Sequence, residues 1–178
     1  MAPPSANLAA PAGIKRSFAP VVDANTRILI LGSLPGEASL RAGRYYANPR
    51  NQFWRLMEPV VGAALGGAPY EERLASLLMA GVGLWDVIRS ASRPGSLDAN
   101  IRDHQPNALP ALIATLPALR VIAFNGGKAS TLGRRLLDGA RGLTLLSLPS
   151  SSPAYTAPLE SKQSRWSELR ALVRRPEE

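Results

Sequence analysis

Cysteine is absent from this chain of 178 residues, and histidine occurs once. Without cysteine there can be no disulfide, thiolate zinc site, cysteine nucleophile or cysteine-ligated iron–sulfur cluster. A lone His104 cannot build a multi-histidine metal centre. The chemistry falls to Asn, Ser, Asp, Tyr and backbone groups. Long hydrophobic runs are missing too. Apolar residues make up 46% of the chain, yet no segment reaches the roughly 18 to 20 consecutive apolar residues of a spanning helix. The opening "MAPPSANLAAPAGIKRSFAP" has no basic n-region, and prolines interrupt it, so it does not read as a secretory signal. Residues 1–16 are expected to be a disordered lead-in and 17–175 a single domain. A cysteine-free composition is compatible with the cytoplasm.

Acidic residues are scarce. The 13 Asp and Glu face 21 Lys and Arg, a net charge of +8 carried mostly by arginine scattered along the chain. A basic folded surface favours polyanions, and with no membrane motif nucleic acid is the expected partner. An Arg-rich, Glu-poor composition accounts for part of the same charge.

Three short apolar runs bounded by turn residues read as buried strands: "TRILILG" (26–32), "LRVIAFNG" (119–126) and "LTLLSLP" (143–149). Helical spacing appears between them. Phe53, Met57, Val60 and Val61 share one face, as do Leu74, Leu77 and Leu78. Further helices are expected at 109–116, from about Gly127, and through Trp166, Leu169, Leu172 and Val173, with "RRPEE" a solvated tail. This alternation predicts an α/β fold, a sandwich around a mostly parallel central sheet. Such sheets bind ligands at the carboxyl ends of their strands, here "GSLPG", "FNGGKA" and "LPSSSPAY".

Each of these ends has a bland reading beside a functional one. "GSLPG" is neither a Walker loop nor G-x-G-x-x-G, and serves as a phosphate cradle or an ordinary turn. In "YYANPRNQFW" the helix is expected to start close after Pro49, leaving Asn51 in its first turn. Asn51 then either faces the strand ends or merely caps. Of Phe53 and Trp54, one can cover a planar ligand while the other enters the core. Asn125 can offer a donor and an acceptor to a base edge, or simply satisfy its turn. Lys128 reads as a phosphate contact or an exposed residue. The stiff "SSSP" loop suits a grip on phosphates, while Asp98 and Asn100 read as pocket wall or, more simply, caps. A serine hydrolase would need His104 as base with Asp86 or Asp98 as orienter, but no G-x-S-x-G elbow is present.

Taken in order, "ILGSLPGEAS", "YYANPRNQFW", "IAFNGGKA" and "LPSSSPAY" resemble the motifs of the uracil-DNA glycosylase superfamily, across about residues 17–173. The chain is most similar to its hypoxanthine-DNA (deoxyinosine) glycosylase branch. One departure stands out. Mismatch-specific members carry Asn in the third place of G-x-N-P-G, where it positions the attacking water, and here Leu34 stands instead. The resemblance implies a three-layer α/β/α sandwich and a monofunctional enzyme that flips out and excises hypoxanthine or uracil from double- or single-stranded DNA. It implies a monomer with no cofactor and no membrane. Asn51, with Asn48 as alternative, would serve the water and sugar side. Phe53 would stack on the base, and Asn125 and N–H groups near Ser33 would read its edge, with Gly32 and Tyr46 also at the base. Ser150, Ser151, Ser152 and Lys128 would hold phosphates, and Pro153 to Tyr155 would wedge into the space the base leaves. A non-catalytic nucleic-acid-binding domain is the alternative.

Overall fold

The computed structural model describes residues 13–173. At its centre, strand β2 (Ile28–Gly32) is buried along its whole length. Side chains alternate along a strand, so Ile28 and Ile30 enter one apolar cluster while Leu29 and Leu31 enter another on the opposite face. Burial on both faces is what a parallel sheet covered by helices requires. Strands β3 (Val82–Asp86), β6 (Val121–Asn125) and β7 (Thr144–Leu148) complete a four-stranded parallel sheet in the order β3-β2-β6-β7.

Helices cover both faces. Helices α2 (Phe53–Val61), α3 (Tyr70–Met79) and α6 (Leu159–Trp166) fill the first cluster, with Phe53, Trp54, Met57, Leu77 and Trp166 at its heart. Helices α4 (Leu109–Ala114) and α5 (Gly127–Leu136) close the second, and the short α1 (Glu37–Ala42) follows the β2 turn. This is the three-layer α/β/α sandwich with a parallel sheet expected above.

Some elements differ from the sequence expectations. The runs at 26–32, 119–126 and 143–149 correspond to β2, β6 and β7, but β3 was not anticipated. Its Gly83 hides the strand pattern, yet it is there for contact: a Cβ at that position would sit 2.8 Å from the Val21 carbonyl oxygen. A separate antiparallel sheet of β1 (Ile14–Arg16), β4 (Ile88–Ser92) and β5 (Arg102–Pro106) was also unforeseen. Because β4 offers an open edge, Ile14–Arg16 pair with Ser90–Ser92 instead of belonging to a lead-in. Residues 1–12 of that expected lead-in, and the "RRPEE" tail, lie outside the described residues. The last helix stops at Trp166 and tightens into a 3-10 turn over 167–171, which carries the buried Leu169 three residues on from the buried Trp166. Among the described residues no helix is long and apolar enough to cross a membrane.

For function the register matters most. Gly32 sits directly opposite Asp86, and Asn125 opposite Leu148. Four strands therefore end at one level, and their loops surround one hollow.

Candidate active site

That hollow, about 740 Å³, is lined by Gly32, Ser33, Tyr46, Asn51, Asp86 and Asn125, with Ser150 to Tyr155 along one wall. Gly32 is needed at the β2 end, since a Cβ there would lie 2.6 Å from Asp86 Oδ1 and 3.5 Å from the Tyr46 hydroxyl. The absent side chain leaves room for both groups to crowd the same spot. The turn that follows is held from behind by Arg93, which is 1% exposed. Its guanidinium donates to the carbonyls of Leu34, Pro35 and Gly95. The Ser33 hydroxyl donates to Asp98 at 2.6 Å, so Asp98 ties the 94–100 loop to the cavity wall. Leu34 is buried in a small apolar cluster with Ile88, Ala91 and Ile101. It offers the cavity no polar group.

The aromatic expectation needs correction. Phe53 is fully buried, and the Tyr46 ring stacks on it at 3.8 Å and 14°. Phe53 is not among the residues lining the cavity, whereas Tyr46 is. Trp54 is buried as well, and its indole N–H donates to the Tyr46 carbonyl. Tyr46 adopts a left-handed φ of 54°, a strained conformation for a residue with a side chain. The neighbouring Tyr45 is buried and donates its hydroxyl to the Ala19 carbonyl. Burial, with the Asp86 charge adding to it, pushes the Tyr46 phenol well above its ordinary pKa, against the opposing Asn125 hydrogen bond. It remains a neutral donor.

Asn51 lies two residues before α2 rather than in its first turn. Its Oδ1 accepts the Phe53 N–H at 3.0 Å, which fixes the amide plane, while the next N–H, of Gln52, donates to the Ser151 carbonyl. Asn48 makes the equivalent turn, accepting the Arg50 N–H at 3.0 Å. Both line the cavity. Each has one Oδ1 lone pair and an amide NH₂ still available to a ligand.

Asn125 is the opposite case. Its amide donates to the Ser151 hydroxyl at 2.9 Å and to the Tyr46 hydroxyl at 3.3 Å, and its Oδ1 accepts the Ser151 N–H at 2.9 Å. Those bonds leave it little to present to a base edge, so the geometry makes it a strut between β6 and the serine loop. Asn125→Ala is expected to destabilise the fold by about 1–3 kcal/mol, because it strands the buried Ser151 N–H. Urea denaturation checks this, and an unchanged midpoint would contradict it.

The same bonds correct the reading of Ser151. It is fully buried and its groups are engaged within the protein, so it supports the loop and does not reach outward to phosphates. Ser150 and Ser152 are half-buried and make tight local turns to the N–H groups of Ser152 and Ala154. Gly126, at φ 97°, lets the chain pass Ser150, whose Cβ would be 3.2 Å from an added methyl. Pro153 is half-buried and Tyr155 is 48% exposed at the rim. Lys162 donates to the Tyr155 carbonyl at 2.7 Å and sits over its ring. Lys128 is half-buried at the start of α5 and lines the cavity.

His104 lies on the exposed strand β5, away from the cavity lining. Among the described residues it makes no hydrogen bond to a serine hydroxyl, so the serine-hydrolase arrangement is not assembled.

A further residue joins the site. Asp86, in the sequence only a candidate orienter of His104, ends β3 at the cavity lining, 4% exposed, and its Oδ2 has no hydrogen-bond partner. Burial, with the Asp98 charge adding and Arg93 opposing, raises its pKa to about 7. The signal was present in "VGLWD", a fourth apolar run ending in a polar residue.

Comparisons with known proteins identify the family. The family model described as the uracil DNA glycosylase superfamily matches residues 19–172. A hypoxanthine DNA glycosylase from Methanosarcina acetivorans is 44% identical over 153 residues, covering 86% of this chain and 96% of the relative. One from Methanosarcina barkeri is 41% identical over 154 residues, covering 86% and 96%. A solution NMR structure of a candidate uracil DNA glycosylase from Methanosarcina acetivorans superposes with a TM-score of 0.80 at 44% identity, over 89% of this chain and 98% of that one. With four strand-end loops around one polar hollow and matches of this extent, the chain belongs to the uracil-DNA glycosylase superfamily.

Proposed function

We propose that this DNA glycosylase flips a deaminated base, hypoxanthine or uracil, into the cavity and releases it by water attack at C1′, beginning base excision repair. The observation that carries the reading is the floor of the cavity. A flat Tyr46 ring lies beside buried polar groups at four strand ends, which fits one planar heterocycle with hydrogen-bonding edges. The relatives named as hypoxanthine DNA glycosylases support it.

A deaminated base pairs weakly, so extruding it costs only about a few kcal/mol. In the pocket, Tyr46 stacks on its face, the role the sequence assigned to Phe53. Breaking the glycosidic bond passes through an oxocarbenium-like state, helped by fixed dipoles that stabilise charge on the leaving base and by a positioned water. Asn51, its amide plane fixed by the Phe53 N–H, holds that water with its remaining Oδ1 lone pair. Asn48 lies on the same wall and serves the sugar side. Lys128, Ser150 and Ser152 contact flanking phosphates, while Tyr155 and Pro153 enter the gap left by the flipped base. The enzyme works as a monomer in the cytoplasm, on duplex or single-stranded DNA, without a cofactor.

The test is base release from oligonucleotides carrying inosine, uracil, xanthine or mismatched thymine, double- and single-stranded. Inosine or uracil is expected to leave fastest, with an abasic site remaining. DNA binding with no free base from any lesion would instead support a non-catalytic binding domain.

A further inference from the structure

We propose that the Asp86 carboxylate, which lines the cavity and makes no hydrogen bond among the described residues, distinguishes a deaminated base from its amino parent by accepting the ring N–H that deamination creates. This rests on the glycosylase reading above and adds the residue that sets its selectivity.

Deamination changes two neighbouring atoms of the base edge. Adenine presents a bare N1 beside an amino group, and hypoxanthine presents N1–H beside O6. Cytosine and uracil differ in the same way at N3 and C4. The amino-to-oxo change can be met by many donors, including the Tyr46 hydroxyl. The ring N–H needs an acceptor, and acceptors on the cavity floor are few. Those of Asn125 and Ser151 are largely committed to each other, and Asp98 is taken by Ser33.

Asp86 is the exception. It makes no side-chain hydrogen bond among the described residues, although a buried carboxyl ordinarily finds a partner. Its strand-end position opposite Gly32 sets its Oδ1 over a residue with no side chain, at the cavity lining. Depth assigns the base edge to it. The sugar is tethered to the strand at the mouth, where Asn48 and Asn51 are only half-buried. A 4% exposed floor group therefore meets the far edge of the base, not C1′.

An ionised acceptor facing the N1 lone pair of adenine is repulsive. A site built around a substrate N–H rejects the analogue lacking it by factors on the order of 10⁴. A protonated Asp86 would lose that selectivity, since its O–H can donate to adenine N1. The groups that set its charge are Asp98 and Arg93 on the adjoining loop, and the buried phenols of Tyr45 and Tyr46, which stay neutral. Asp98 disfavours ionisation and Arg93 favours it. Since its pKa lies about 7, adenine competes only through the protonated fraction, which falls about tenfold per pH unit above that point.

The test uses the full chain and uncleavable 2′-fluoroarabino nucleotides of hypoxanthine and adenine, each opposite an abasic site so that neither has a pairing partner. Affinity is read by fluorescence anisotropy from pH 6 to 8, where the ring N–H of hypoxanthine stays protonated, for the native protein, Asp86→Asn and Asp86→Leu. The native preference for hypoxanthine over adenine should widen with pH, approaching tenfold per unit above 7. Asp86→Asn, whose amide can turn either way, should hold the preference to within about tenfold and make it independent of pH. Asp86→Leu should lose hypoxanthine binding while remaining folded by circular dichroism. If Asp86→Asn keeps the native preference and its pH slope, the proposal is overturned. An equal loss on both bases at every pH also overturns it, placing the carboxylate on the sugar side. Failure of the native protein to release any base from an inosine or uracil duplex is a separate result, and would overturn the glycosylase reading itself.

Discussion

Asn51→Ala is expected to lower the single-turnover rate of base release from an inosine duplex by roughly 10²–10³-fold, the usual effect of deleting one fixed dipole aimed at a transition state. Binding of the uncleaved duplex should change little, because the phosphate contacts lie elsewhere. A structural cost accompanies it. Asn51 also accepts the Phe53 N–H at the start of α2, so its loss should cost about 1 kcal/mol of stability. Asn51→Asp separates the two roles, since a carboxylate keeps the turn and an acceptor for water but removes the amide NH₂. It should recover stability fully and rate in part. A native rate in Asn51→Ala would remove Asn51 from the chemistry and leave Asn48 to serve it.

The second large effect is on folding. Asp86 has its pKa raised from 3.8 to about 7, first by burial. A carboxyl with a raised folded pKa is more protonated in the folded chain than in the unfolded one between those values. Its contribution to stability is therefore neutral below about pH 4 and falls as pH rises, reaching its full penalty above about 7. The difference of some three units corresponds to a penalty of about 4 kcal/mol. Asp86→Asn removes it. The two proteins should have similar unfolding free energies near pH 4, with the variant more stable by about that amount at pH 8. A pH-independent gap in paired urea titrations would contradict the assignment. The expected pattern is a residue kept at a cost to folding, because selectivity requires its charge.

The sequence made the scaffold legible where composition and periodicity were unambiguous. β2 and β6 are apolar on both faces, and their polar ends marked the cavity. The site was legible as a set of loops but less so as a set of roles. Tyr46 and Phe53 both sit in one short motif, and only tertiary packing decides that Phe53 is the layer beneath and Tyr46 the surface. Asn125 looked like a free amide because its partner Ser151 lies 26 residues away, on the next strand's loop. Asp86 escaped because Gly83 and Trp85 obscured β3 as a strand, so the rule that strand ends carry the site was not applied there. Arg93 gave no signal at all. Its burial depends on three carbonyls brought together by the fold.

The most direct test of the account is to incubate the native protein with a duplex holding one deoxyinosine and identify the released product by mass spectrometry. The account predicts free hypoxanthine in step with an intact strand carrying an abasic site, and none from the matched adenine duplex. Bound DNA with no free hypoxanthine and no abasic site, under conditions where the protein is folded, would contradict it.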